Sequence, residues 1–293
     1  MFPLRRNLTN LFARSTFTRG RHEIRSPLPL KKTKLMIRND MNSNEAILKL
    51  KPKLTGNKIL VAFDFDKTLI DVNSDTYVLK LLPNNGEEAE KYKKKQWIDY
   101  MQNVFDLLCT SGVKPAHLFE CLGSISWTKG MPELLRDLNE MGHDLIIISD
   151  CNSVFINTFL GAKGMEECFC SIFTNPAEFD TNGCLKIKMF HQQNWCELSA
   201  VNLCKGAILD EFIQLRSGID NKFKYKFVAY VGDGMNDYCP MLRLKSADFA
   251  FPRKDFPCHK QISKEERSQY KMKAQVVPWS DGFEIRDAIF SML

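Results

Sequence analysis

The chain carries 293 residues, 44% of them hydrophobic and 26% charged, enough for one large or two smaller domains with a real core. Part of its net charge of +6 comes from the first 40 residues and no RNA- or DNA-binding motif is visible, so no nucleic-acid partner is expected. No apolar run approaches bilayer length, which argues against a membrane span, and 10 scattered cysteines without a secretory signal predict reduced, intracellular thiols.

Residues 1–50 read as a leader. Arg5, Arg6, Arg14, Arg19, Arg21 and Arg25 are interleaved with Ser, Thr and apolar residues, and Glu23 is the only acid before Asp40. Two readings stand: an organelle transit peptide, which would make the protein mitochondrial, or a disordered basic leader without an address, which leaves it cytoplasmic.

Residues 59–63 are apolar without alternation, the pattern of a strand buried on both faces. The strand ends on Asp64 and Asp66, whose spacing sends both carboxylates to one side of extended chain. Ligands gather at the carboxyl ends of strands in open α/β sheets, although Asp is also an ordinary turn residue. A polar loop leads to Asp75, and from 77 to 127 the pattern is helical, with one helix expected across 87–109 on Trp97, Met101, Val104, Phe105 and Leu108, and another opened by Pro115. This stretch is expected to form a small cap over the sheet edge, dividing a core made of 57–76 and 128–293.

A helix stopped by Gly142 precedes a second buried strand that runs into Ser149 and Asp150. A third strand is expected at 171–175, a hairpin across 180–188 with Asn182-Gly183 in its turn, and a helix over 201–215 carrying Lys205. The fourth strand, 227–231, runs straight into Gly232-Asp233-Gly234-Met235-Asn236-Asp237. Strands at 247–251 and 275–277 and a closing helix at 281–292 complete an α/β pattern: a Rossmann-like, mostly parallel sheet covered on both faces.

Asp64 and Asp66, Ser149, Lys205, and Asp233 with Asp237, in this order on this architecture, resemble the haloacid dehalogenase superfamily of phosphotransferases from about residue 58 onwards. Within it, the runs 64–75, 148–152, 202–205 and 230–240 resemble the animal family that contains pyridoxal phosphate phosphatase and the phosphoethanolamine/phosphocholine phosphatase. The chemistry suits the residues. A carboxylate, Asp64, can attack phosphorus, and a second, Asp66, can give a proton to the leaving alcohol and then activate water. Clustered acids repel one another unless a divalent cation sits among them, and oxygen ligands suit Mg²⁺. The resemblance implies Mg²⁺ on Asp64 and Asp233, with the Asp66 carbonyl contributing and Asp237 supporting. It implies Ser149 and Lys205 on the phosphoryl oxygens, and Asp75 and Asp150 on the substrate side. One departure concerns His191, Cys196 and Cys204, where Ser199 stands in the place of an expected cysteine; structural thiols are favoured over zinc. The expected substrate is a small phosphomonoester, pyridoxal 5′-phosphate ahead of amine phosphates. A catalytically silent ligand-binding relative and a mutase or transferase are the competing classes.

Overall fold

The computed structural model describes residues 57–93, 95–219, 223–264 and 270–293, so the leader and its targeting lie outside the described residues. Strand β1 (Leu60–Phe63) is followed by the short helix α1 (Ser74–Tyr77), then α2 (Trp97–Thr110), α3 (Pro115–Gly123) and α4 (Met131–Glu140). Strand β2 (Asp144–Asn152), helix α5 (Ser153–Lys163), strands β3 (Ser171–Asn175), β4 (Ala177–Phe179) and β5 (Leu185–Ile187), and helix α6 (Lys205–Ile219) come next. The chain closes with β6 (Val228–Gly232), α7 (Tyr238–Arg243), β7 (Phe249–Pro252), α8 (Pro257–Ile262), β8 (Gln275–Val276) and α9 (Gly282–Met292).

Six strands form one parallel sheet in the order β3-β2-β1-β6-β7-β8, the expected Rossmann-like core. Alternation along the strands divides their side chains between two covered faces. Val61, Phe63, Leu145, Ile147, Ala229 and Val231 join a core cluster with Leu134 and Leu138 of α4, Phe155 and Phe159 of α5, and Ile285 and Ile289 of α9. Leu60, Ala62, Ile146, Ile148 and Tyr230 alternate with them and are buried as well, as are Ile208, Leu209 and Phe212 of α6, which packs against β2. Both faces being dry, these strands carry the unbroken apolar runs seen in the sequence.

Three expectations need correction. The single helix across 87–109 is two pieces, a 3-10 segment Pro83–Tyr92 and α2, because the backbone is extended at Gln96 and the helix starts afresh at Trp97. The helix expected at 201–215 begins at Lys205 and runs to Ile219, since the residues before it form a turn bridged between Ala200 and Leu203. The cysteines are not all reduced: Cys109 is bonded to Cys184, because the β4–β5 hairpin leaves the main sheet and packs on α2. Gln102 stitches the same contact, donating to the Leu185 carbonyl at 3.3 Å and accepting from Ile187 N–H at 3.0 Å.

Candidate active site

Register brings the functional residues together. Phe63 pairs with Ile147 on one side and Val231 on the other, so β1 and β6 end together beside the second half of β2. Asp64 N–H continues the ladder to the Val231 carbonyl at 2.9 Å. The next residues of each strand, Asp64 and Asp66, Ser149 and Asp150, and Asp233, line a cavity of about 270 Å³. Asp75 and Trp97 close another side of it, and Asn202, Gly234 and Asn236 are among the residues that complete the lining.

Lys205 and Asp237 lie behind this wall. Lys205, 1% exposed at the first position of α6, places Nζ 2.9 Å from Asp64 Oδ1 and 2.8 Å from Asp237 Oδ1. Asp237 is saturated with donors: Oδ1 also accepts from Tyr230 Oη at 2.9 Å, while Oδ2 accepts from the N–H groups of Asp233 and Gly234 at 2.8 and 2.9 Å. It therefore fixes the 232–237 turn and the lysine. Gly232 is required for this approach, because a Cβ there would sit 2.3 Å from Asp237 Cγ.

Burial sets the electrostatics. It lifts the Asp64 carboxyl well above its ordinary range, reinforced by Asp237 and opposed by Lys205. Asp66 is pushed to about 6, again by burial, with hydrogen bonds from Ser74 holding it down, among them Ser74 N–H to Oδ1 at 2.7 Å. Asp233 rises to about 7 through burial and then Asp237. Burial works against the Lys205 charge, but Asp237, Asp64 and Asp150 outweigh it and keep the lysine protonated. Three acids cluster without enough positive charge: carboxylate oxygens of Asp64, Asp233 and Asp237 lie within 4.8 Å of one another, all buried. An all-oxygen donor set of this kind fits a hard divalent cation.

On the far side of the cavity, burial also raises Asp75 and Asp150. Asp150 Oδ2 accepts from Asn236 Nδ2 at 2.7 Å, yet Oδ1 of each acid is buried without a partner among the described residues. Trp97 stands with Asp75 on the cavity wall, and Ser149 Oγ accepts from Cys151 N–H at 3.3 Å, which leaves its O–H free to donate.

Several residues of the site carry no sequence signal. Tyr230 looks like any apolar strand residue, and Trp97 like a helix core position. Asn236 stands in the acid-rich run, where only its neighbours suggest chemistry. Lys67 adopts φ 57°, an unusual backbone for a lysine, and Arg253 holds it there, donating to the Lys67 carbonyl at 2.5 Å and to Asp71 Oδ1 at 2.6 Å.

A family model described as "Putative Phosphatase" matches residues 59–293. The pyridoxal phosphate phosphatase PHOSPHO2 of Mus musculus is 40% identical over 235 residues, covering 78% of this chain and 95% of that protein. The phosphoethanolamine/phosphocholine phosphatase of Homo sapiens is 33% identical over 237 residues, covering 78% of this chain and 87% of that protein. A substrate-bound phosphoserine phosphatase complex shares the fold, with a TM-score of 0.53 at 16% identity over 80% of this chain and 99% of that one. A phospho-aspartyl intermediate analogue of phosphoserine phosphatase does so too, with a TM-score of 0.53 at 17% identity, covering 81% and 99%. Strand-end acids on a parallel sheet, a family match along the described chain and a relative at 40% identity lead to one conclusion: the chain belongs to this Putative Phosphatase family, and it is a phosphatase built on the fold of the phosphoserine phosphatases.

Proposed function

We propose that the enzyme hydrolyses pyridoxal 5′-phosphate through transient phosphorylation of Asp64. The observation that carries the reading is the pairing of Asp64, anchored to Lys205, with Asp66, whose carboxyl is poised near neutrality on the cavity wall. Asp64 attacks phosphorus and the ester oxygen departs with the proton of Asp66. The ionised Asp66 then takes a proton from water as that water attacks the acyl phosphate, which frees phosphate and restores the Asp64 carboxylate and the protonated Asp66. Ser149 O–H donates to the phosphoryl oxygens, and Lys205 holds Asp64 while adding positive charge beneath it.

Asp64 and Asp233 would hold Mg²⁺ through their side chains, with the Asp66 carbonyl beside them, while Asp237, its oxygens already engaged, supports from behind. When bound, the ion supplies charge neutralisation for the acids and the phosphate. In this reading 57–76 and 128–293 form the core and 77–127 the cap, with Trp97 reaching the cavity from α2.

Trp97 offers a flat face for a pyridine ring, and the unpartnered oxygens of Asp75 and Asp150 await donors. Those same acids also suit a charged amine, which keeps phosphoethanolamine and phosphocholine as the second reading. The test is phosphate release by purified protein with Mg²⁺. It should be faster on pyridoxal 5′-phosphate than on phosphoethanolamine, disappear with EDTA, return with excess Mg²⁺, and be absent in Asp64→Asn. Undiminished release by Asp64→Asn would refute the nucleophile. A preference for the amine phosphates would refute the substrate.

A further inference from the structure

Behind the cavity, outside the acidic cluster, three sulfurs converge. Cys196 lies in the loop ahead of α6, Cys204 immediately precedes Lys205, and Cys239 is in α7, two positions after Asp237. Their Sγ atoms all lie within 4.8 Å of one another, with Cys196 to Cys239 at 3.4 Å and Cys204 to Cys239 at 4.0 Å. Ser199 Oγ adds a fourth corner, 3.4 Å from Cys196 Sγ and 3.3 Å from Cys204 Sγ. Tetrahedral zinc, with Zn–S near 2.3 Å and Zn–O near 2.0 Å, requires sulfurs about 3.8 Å apart and oxygen about 3.5 Å from each sulfur. Four of the six edges, at 3.3–4.0 Å, already stand close to those values.

The loop is built to hold them. Buried Gln193 donates to the carbonyls of Cys196, Ser199 and Ala200 at 3.1, 3.0 and 2.9 Å, and its Oε1 accepts from Cys196 N–H at 2.9 Å. His191 Nε2 accepts from Cys204 N–H at 2.8 Å, so that nitrogen orients the cysteine and is not itself a donor to the cluster centre. The amino end of α6, which begins one residue after Cys204, turns its positive pole toward the cluster. Arg243 helps: it and Cys239 both crowd Gly206, where an added Cβ would meet Cys239 Sγ at 2.7 Å and Arg243 Nε at 3.4 Å. Hydrophobic packing alone gives no reason for three thiols and a hydroxyl to face one point.

We propose that Cys196, Cys204 and Cys239, with Ser199 Oγ as the fourth donor, hold a structural Zn²⁺ that pins the 191–204 loop to α7. Soft thiolates and hard carboxylates would sort the two metals, zinc behind the cavity and the hard cation within it. The ion would tie together the residues just outside Lys205 and Asp237, so its role is to position them. The inference does not depend on the phosphatase mechanism.

The test is elemental analysis of the full chain, expressed with zinc in the medium and purified without a metal-affinity tag. About one zinc per chain is expected, released as the thiols are titrated with an organomercurial. Replacement by Co²⁺ should give thiolate-to-cobalt charge transfer and the intense d–d bands of tetrahedral coordination. Cys196→Ser and Cys239→Ser should lower zinc affinity at least about tenfold, whereas Ser199→Cys should keep the metal and hold it more tightly. Wild-type protein without zinc after incubation with Zn²⁺, or with a Cys196–Cys239 disulfide in its place, would overturn the proposal. So would a cobalt spectrum lacking thiolate charge transfer, a measurement that needs no variant to fold.

Discussion

Asp66 is half-buried with Ser74 N–H on one oxygen, and the balance of those two influences leaves its carboxyl near 6. A group so placed can donate in one step and accept in the next without a large penalty in either. Asp66→Asn should therefore still be phosphorylated by p-nitrophenyl phosphate, whose phenolate departs without a proton, but should stall before hydrolysis. Acid-quenched samples would then accumulate phosphoenzyme while steady turnover drops about 10²–10⁴-fold. Equal loss of both steps would contradict the division of labour. Tyr230→Phe removes one of the four donors on Asp237, and a cost of about 0.5–1.5 kcal/mol in unfolding free energy is expected, read by urea titration. The acids were legible in the sequence because each stands at a strand end in a recognisable spacing. Tyr230 was not, because a tyrosine inside an apolar strand shows nothing of the carboxylate that turns back beneath it.

The turn after β6 and the loop after β1 are elements shaped by close approach. At Gly232 any side chain would collide with Asp237, so Gly232→Ala should displace that carboxylate, lower Tm and abolish phosphate release together. The β4–β5 hairpin is legible from its Asn182-Gly183 turn, although its first strand lies ahead of the expected 180–188, and its packing on α2 is not legible, since nothing local specifies where a hairpin leaves the sheet. Cys109 and Cys184 are 75 positions apart, too far for sequence spacing to reveal a pair. Closing such a loop restricts the unfolded chain, so Cys184→Ser should cost about 2–4 kcal/mol, and a wild-type protein indifferent to reductant would contradict the bond. The break between the 3-10 segment and α2 escapes a periodicity argument because the apolar positions that mark the helix, Trp97 to Leu108, all lie within α2 and say nothing of the extended Gln96 before it.

Across the whole molecule, the parallel sheet follows from buried apolar strands alternating with amphipathic helices, with boundaries moved by a few residues, whereas the strand order β3-β2-β1-β6-β7-β8 is set by the tertiary packing. The acid cluster imposes a global cost. In Mg²⁺-free protein Asp66 and Asp233, lifted to about 6 and about 7, bind protons that the unfolded chain would release near pH 4. The native state thus holds more protons through that window, and stability falls as pH rises from about 4 to 7. Half-buried His143, whose imidazole is lowered, works in the opposite direction, losing stability on acidification, so the comparison is wild type against Asp233→Asn. The variant should gain Tm relative to wild type at pH 7.5 without Mg²⁺, and this advantage should vanish with Mg²⁺ present; an advantage equal at pH 4.5 and 7.5 would contradict the assignment. The central claim, a phosphoryl group carried on the carboxylate that ends β1, is tested most directly by peptide mapping of acid-quenched enzyme after brief exposure to substrate. The account places the acid-stable, hydroxylamine-labile phosphate on Asp64. Phosphate on any other residue, or a full rate of turnover with Asp64 never modified, would contradict it.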